Sequence, residues 1–105
     1  MSTEALALAR HEWEEGDRLL EAARDDRSRY RRLVEQVEIV VDELRKRVGG
    51  TYTLAELAAA YGTADAWARQ LIENRAPSPG WPRDLSLVLA AAFHRYQRGA
   101  SDYAT

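Results

Sequence analysis

The chain has 105 residues, of which 46% are hydrophobic and 30% charged, with 15 Lys and Arg against 17 Asp and Glu. This length and composition suit one packed domain and exclude wholesale disorder. The absence of cysteine excludes a disulfide framework and a thiolate zinc site. No apolar run approaches the roughly 20 residues of a membrane-spanning helix. We therefore expect no membrane association and a cytoplasmic location, since the N-terminal residues also lack the basic start of a signal peptide.

Residues 3–48 carry a helical pattern of apolar side chains. Positions three and four residues apart form a heptad-like stripe whose character changes only at Gly16 and Arg27. Its members are Leu6, Ala9, Trp13, Gly16, Leu20, Ala23, Arg27, Tyr30, Val34, Val37, Val41, Leu44 and Val48. Leu19, Leu33 and Val40 lie beside the stripe and widen it, which indicates packing against more than one neighbouring helix.

Two arrangements fit this stripe. One is a single rod of about 45 residues, roughly 68 Å long, which would form a homodimer through the N-terminal helices because its stripe cannot remain in water. The other is an antiparallel hairpin that breaks within Ala23–Arg29, where Asp25, Asp26 or Ser28 would cap the second helix. The hairpin is favoured, because a small domain gains core by folding back on itself.

The second half begins with strong local signals. Gly49 and Gly50 supply residues suited to a helix C-terminus, and Thr53 with Glu56 forms a capping box for the next helix. Gly62 then predicts a tight turn. A further helix is expected to run from there to residue 72, so that the segment has the outline helix, turn, helix.

Thr53–Ile72 resembles the generic helix-turn-helix corner. Its first helix has an apolar and then a small residue against its partner, a glycine stands at the turn, and the second helix has two buried positions. These are Leu57, Ala58, Gly62, Ala68 and Leu71. The resemblance covers about a fifth of the chain and implies either a packing corner or a DNA-reading element.

DNA contact is the less favoured interpretation of this corner. Arg69, Gln70 and Arg75 are the side chains that would face DNA, but Asp65 and Glu73 would repel phosphates. Residues 1–48 carry ten basic and twelve acidic side chains, and residues 49–105 carry five of each. Neither half has the basic excess that phosphate binding requires.

A proline-rich loop separates this segment from the last helix. All three prolines lie in NRAPSPGWPRD, residues 74–84, which excludes regular structure there. Trp81 either anchors the loop in the core or, with Arg83, offers a contact for a partner. The helix predicted over Asp84–Gly99 has one apolar face and is expected to be the central helix of the second half.

Residues 50–104 also resemble a group of short actinobacterial helical proteins, on TLAELAAAYGTADAWA, PGWPRDLSLVLAAAFHRY and RGASDYA. This resemblance implies a compact helical domain and no particular activity.

The sequence shows no catalytic set. There is no thiol nucleophile and no phosphate-binding glycine motif, and His11 and His94 are far apart in the chain. His11 and Glu15 share a helix face, but two ligands on an exposed helix rarely form a specific metal site. We therefore expect neither an enzyme nor a cofactor or metal.

The prediction is a single all-α domain over residues 1–105. It consists of a long N-terminal helical hairpin or coiled-coil arm over residues 1–48, and a compact three-helix unit with a helix-turn-helix-like corner over residues 49–105. The expected function is a non-catalytic protein-interaction module, with the transcription machinery as one partner, and its candidate contacts are Asp25, Asp26, Trp81 and Arg83. The alternative is a DNA-binding regulator acting as a coiled-coil dimer through Arg69, Gln70 and Arg75.

Overall fold

The computed structural model describes residues 2–104, and side chains for residues 2–99. The described residues form four α-helices and a short 3-10 turn, with no strand. In chain order these are α1 (Thr3–Ala22), the 3-10 turn (Ala23–Asp25), α2 (Arg27–Arg47), α3 (Leu54–Arg75) and α4 (Trp81–Ala104). The predicted all-α class is therefore confirmed.

Short polar side chains fix the starts of the first three helices. The Ser2 side chain accepts a hydrogen bond from the backbone N–H of residue 5, and Asp26 accepts one from the N–H of Arg29, both at 3.1 Å. Thr53 caps α3 in the same way, as the sequence predicted, through the N–H of Glu56 at 3.1 Å. Each bond satisfies a backbone donor that has no partner within its own helix.

The first half is broken where the sequence predicted it, so the single rod is not formed. Asp26 is extended, with φ −106° and ψ 93°, and this residue separates the 3-10 turn from α2. The two helices do not form a coiled-coil arm of their own, however, because both pack mainly against α4 rather than against each other. The stripe is wide enough for this arrangement.

The turn predicted at Gly62 is wrong for this structure. Leu54–Arg75 is one continuous helix, and Gly62 is not among the glycines with positive φ, which are Gly49 and Gly80. Thr63 does not cap a new helix; its hydroxyl donates to the carbonyl of Ala60 within α3 at 3.3 Å. A glycine inside a helix costs only about 1 kcal/mol, and the surrounding alanines and leucines are strong helix formers. The described part of the second half therefore has two helices, not three, and no helix-turn-helix corner.

One hydrophobic core unites the four helices, with α4 at its centre. Trp13, Tyr61 and Phe93 come from three different helices and meet with ring centroids 5.0–5.7 Å apart. The buried side chains around them include Leu20, Leu33, Val37, Val40, Leu44, Leu57, Ala64, Ala68, Ile72, Leu85, Val88, Ala91 and Ala92. The helix predicted to be central to the second half is thus central to the whole described fold.

Within residues 2–104, none of the helices combines the length and the hydropathy that crossing a membrane requires.

Candidate functional site: a groove between α1 and α4

An open concave surface lies beside a close approach of α1 and α4. A Cβ built on Gly16 would overlap the Cβ of Ala90 and would lie 3.0 Å from the backbone nitrogen of Ala91. Only glycine permits this contact without displacement of α4. Gly16, the weak position in the sequence stripe, is therefore the point where α1 packs against the central helix.

Beside this contact the two helices enclose an open groove of about 540 Å³, which we call the α1–α4 groove. Its base contains the buried Gly16 and Ala90 and the half-buried Leu87, and its edges carry exposed polar side chains. The full lining is His11, Glu12, Glu15, Gly16 and Leu19 of α1, Tyr61 of α3, and Arg83, Asp84, Ser86, Leu87 and Ala90 of α4.

Leu19 is the apolar side chain of this groove that no described helix covers. It is one of the three residues, Leu19, Leu33 and Val40, that widen the N-terminal stripe. Leu33 and Val40 of that set are 2% and 0% exposed, whereas Leu19 is 42% exposed. A position patterned for burial thus remains open to the surface. Leu8 is also exposed, at 67%, but it does not line the groove.

The charges of the lining divide into paired and unpaired groups. Glu15 binds Arg18 on its own helix, and this contact holds the pKa of the Glu15 carboxyl below its usual range. Asp84 binds Arg29 of α2 at 3.0 Å. Within the described residues no oppositely charged side chain lies within 4.0 Å of Glu12 or of Arg83. Glu12, which lies beside the Tyr61 hydroxyl, and Arg83 are therefore the carboxylate and the guanidinium of the lining that have no ion pair among the described residues.

Tyr61 connects the groove to the core. Burial raises the pKa of its hydroxyl, and the nearby Glu12 carboxylate raises this pKa further. The ring packs edge-on against Trp13 and Phe93. The phenol is therefore neutral at physiological pH and is held rigidly at the wall of the groove.

The predicted partner-binding residues have different surroundings in the structure. Asp25 is exposed, and Asp26 is engaged as the cap of α2. Trp81 is half-buried against the core, which supports its packing role. Of these four residues, Arg83 alone lines the groove.

The candidate contacts Asp25 and Asp26 do not lie in an acidic segment. Residues 24–32 contain these two aspartates and the arginines Arg24, Arg27, Arg29, Arg31 and Arg32. The net charge of this segment is therefore positive, which does not favour recognition of a basic partner there.

Arg69, Gln70 and Arg75, the candidates for DNA contact, are all exposed on α3. Arg69 is 3.4 Å from Asp65 one turn earlier on the same helix. This pairing places an acidic group beside Arg69, one of the three candidates.

Two polar clusters hold the fold around the groove. Arg95 of α4 binds Asp17 and Glu21 of α1, each at 3.1 Å, and ties the two helices together. Gln36, 1% exposed, donates to the carbonyl of Ala76 at 3.0 Å and to the hydroxyl of Ser78 at 3.1 Å, and so fixes the proline loop against α2. Among the described side chains, no group of three or more His, Asp and Glu residues is arranged to hold a metal ion.

The groove itself could not be found in the sequence. In the sequence, Leu19 only widens the apolar stripe. The only sequence signal was an excess of apolar positions on α1, and that signal does not reveal which of them the fold leaves uncovered.

The chain matches no protein-family model. No curated protein and no solved structure is significantly similar to it.

Proposed function

We propose that this protein is a non-catalytic binding module that receives an apolar segment of another protein in the α1–α4 groove. The observation that carries the proposal is Leu19, a stripe position left 42% exposed beside a concave surface lined by two helices. Apolar side chains at the edge of a concave site are typical anchors of protein interfaces.

The ionisable groups of the groove favour binding over catalysis. Its carboxylates at Glu15 and Asp84 are engaged by arginines of the fold. The remaining ionisable groups of the lining are His11, Glu12, Arg83 and the neutral Tyr61 phenol. These groups suit recognition of a complementary surface.

The transcription machinery remains one candidate source of the partner. That expectation depended on an acidic coiled-coil arm and an aromatic-rich second half, but α1 and α2 pack mainly against α4 and form no arm of their own. The proposal therefore defines the partner by the groove and not by a particular assembly.

The test compares two leucines of α1. Tagged wild-type protein, Leu19→Gln and Leu8→Gln would be used to capture partners from a native lysate, with quantitative mass spectrometry as the readout. Glutamine keeps the charge and the helix propensity of the site. A partner that requires the groove is lost with Leu19→Gln and retained with Leu8→Gln. Equal capture by both variants would show that the groove does not bind it.

DNA binding through Arg69, Gln70 and Arg75 stays a prediction. It requires retention on duplex DNA that weakens steeply with salt. Binding at low salt that is no tighter than that of a neutral control protein would exclude it.

A further inference from the structure

We infer that the segment received by the α1–α4 groove is a short amphipathic helix whose apolar stripe has a basic side chain on one edge and an acidic side chain on the other. This inference rests on the proposed function and specifies the partner. The basic side chain would lie beside Glu12, and the acidic one beside Arg83.

The shape of the groove favours a helix. Two helices form its walls, and a third helix packs onto such a pair by placing its side chains in the groove between them. The α1 wall runs from His11 to Leu19, which is about 12 Å at 1.5 Å per residue. A helix of two to three turns with apolar residues three and four positions apart would cover it.

The charges of the groove define the edges of that helix. Glu15 and Asp84 already have arginine partners from the fold, so they contribute little to recognition of a new charge. Among residues 2–99, no oppositely charged side chain lies within 4.0 Å of Glu12 or of Arg83. These two charges are opposite and come from different helices. A partner helix with oppositely charged edges therefore places an opposite charge beside each of them in one orientation. A partner helix whose edges carry the same charge places a like charge beside either Glu12 or Arg83.

A second copy of this chain is the weaker occupant. A stable protein interface buries about 1,600 Å² in total. Leu8 and Leu19 are the exposed large hydrophobic side chains of the described residues, and two leucines supply too little apolar surface for an interface of that size. A short helical segment requires much less area and binds more weakly and reversibly.

The probes are six synthetic peptides of 16 residues. Three share one leucine stripe: the mixed peptide has lysines on one edge and glutamates on the other, one has lysines on both edges, and one has glutamates on both. A fourth has mixed edges and serines in place of the leucines, and the last two are versions of the mixed peptide with glutamines in place of either the lysines or the glutamates. Binding to the full chain would be measured by fluorescence anisotropy, and the methyl NMR signals of Leu19, Leu87 and Ala90 would locate the contact.

We expect the mixed peptide to bind most tightly and to shift these three methyl signals, and the serine peptide to bind at least about ten-fold more weakly. Glu12→Gln should weaken the binding of the mixed peptide by about two- to five-fold, but should not change the binding of the version whose lysines are glutamines. Arg83→Gln should likewise weaken the binding of the mixed peptide but not that of the version whose glutamates are glutamines. Glu14→Gln and Arg10→Gln, exposed charges of α1 outside the groove, are the matched controls.

The outcomes separate this inference from the proposed function. If a uniformly charged peptide binds as tightly as the mixed one, or if Glu12→Gln and Glu14→Gln behave alike, the edge pattern is wrong. If none of the peptides binds while Leu19→Gln still abolishes partner capture, the groove is a binding site but its occupant is not such a helix. Sedimentation that shows a dimer of the wild type and a monomer of Leu19→Gln would make a second copy the occupant and overturn the inference.

Discussion

The backbone of Gly16 packs directly against the side chain of Ala90, so that α1 and α4 have no space between them for even one methyl group. This contact brings the N-terminal helix onto the central helix of the fold. It also determines where the two helices diverge to form the α1–α4 groove, because Gly16 and Ala90 both line its base. The packing of the core and the shape of the candidate site therefore depend on the same pair of residues.

Gly16 in α1 and Gly62 in α3 should respond oppositely to the same substitution. Gly16→Ala is expected to lower the free energy of unfolding by about 1–3 kcal/mol, because the new methyl group overpacks the contact with Ala90. Gly62→Ala should raise it by about 0.5–1 kcal/mol, because Gly62 lies within α3 with nothing within 4 Å of an added Cβ. Urea unfolding followed by circular dichroism measures both values.

The same pair of variants tests the continuity of α3. If Gly62 were the turn of a helix-turn-helix corner, alanine there would destabilise the protein. A loss of stability in Gly62→Ala would therefore contradict the single helix Leu54–Arg75.

The buried amide of Gln36 should be essential to the position of the proline loop. Gln36→Ala removes both hydrogen bonds to the loop and leaves the carbonyl of Ala76 without its donor. We expect a loss of about 1–3 kcal/mol in unfolding free energy, with faster amide hydrogen exchange around Ser78. Glu35→Ala, at the exposed neighbouring position, is the matched control and should change stability by less than about 0.5 kcal/mol. Equal effects of the two variants would show that the hydrogen bonds do not hold the loop.

Stability should decline in alkaline solution through the buried tyrosines. Burial raises the pKa of Tyr61 in the folded state, and raises those of Tyr52 and Tyr96 as well. The unfolded chain therefore releases these protons first, near pH 10, while the folded chain retains them. The stabilisation is complete below about pH 10 and is lost as the pH rises beyond it. Urea unfolding between pH 7 and pH 11 should show this decline in unfolding free energy, and Tyr61→Phe should make the decline shallower. If the dependence on pH is the same in Tyr61→Phe, the pKa of Tyr61 is not raised in the folded state.

The ion pairs between Arg95 and α1 should contribute more than those on the helix surfaces. Arg95 is 34% exposed and its partner Asp17 is 19% exposed, so Arg95→Gln leaves a partly buried carboxylate without its cation. A loss of about 1–2 kcal/mol is expected, between the values for surface and buried pairs. Arg18→Gln breaks a pair in which both side chains are well exposed, and we expect no measurable loss of stability. Comparable losses in the two variants would indicate that the contact between α1 and α4 does not depend on Arg95.

Local chemistry made the helix starts and the first break predictable from the sequence. Thr53 with Glu56, and the polar segment that contains Asp26, are short-range signals whose hydrogen bonds involve residues only three positions apart. The apolar periodicity likewise identified the residues of the core, because the side chains of one helix face share one environment. Gly62 shows the limit of such signals, since a glycine permits a turn but does not impose one, and the helix continues through it.

The sequence by itself determined that this chain is all-α and which side chains are apolar enough to be buried, and it favoured a hairpin that breaks within Ala23–Arg29 over a single rod. Only the tertiary structure decided which helix became the common centre and which apolar position was left uncovered. Leu19, Leu33 and Val40 are equivalent in the stripe, but neighbouring helices cover the last two and not the first. Burial of a given side chain depends on contacts between residues distant in the chain, such as Gly16 with Ala90, and these contacts are not encoded in the periodicity of any one helix.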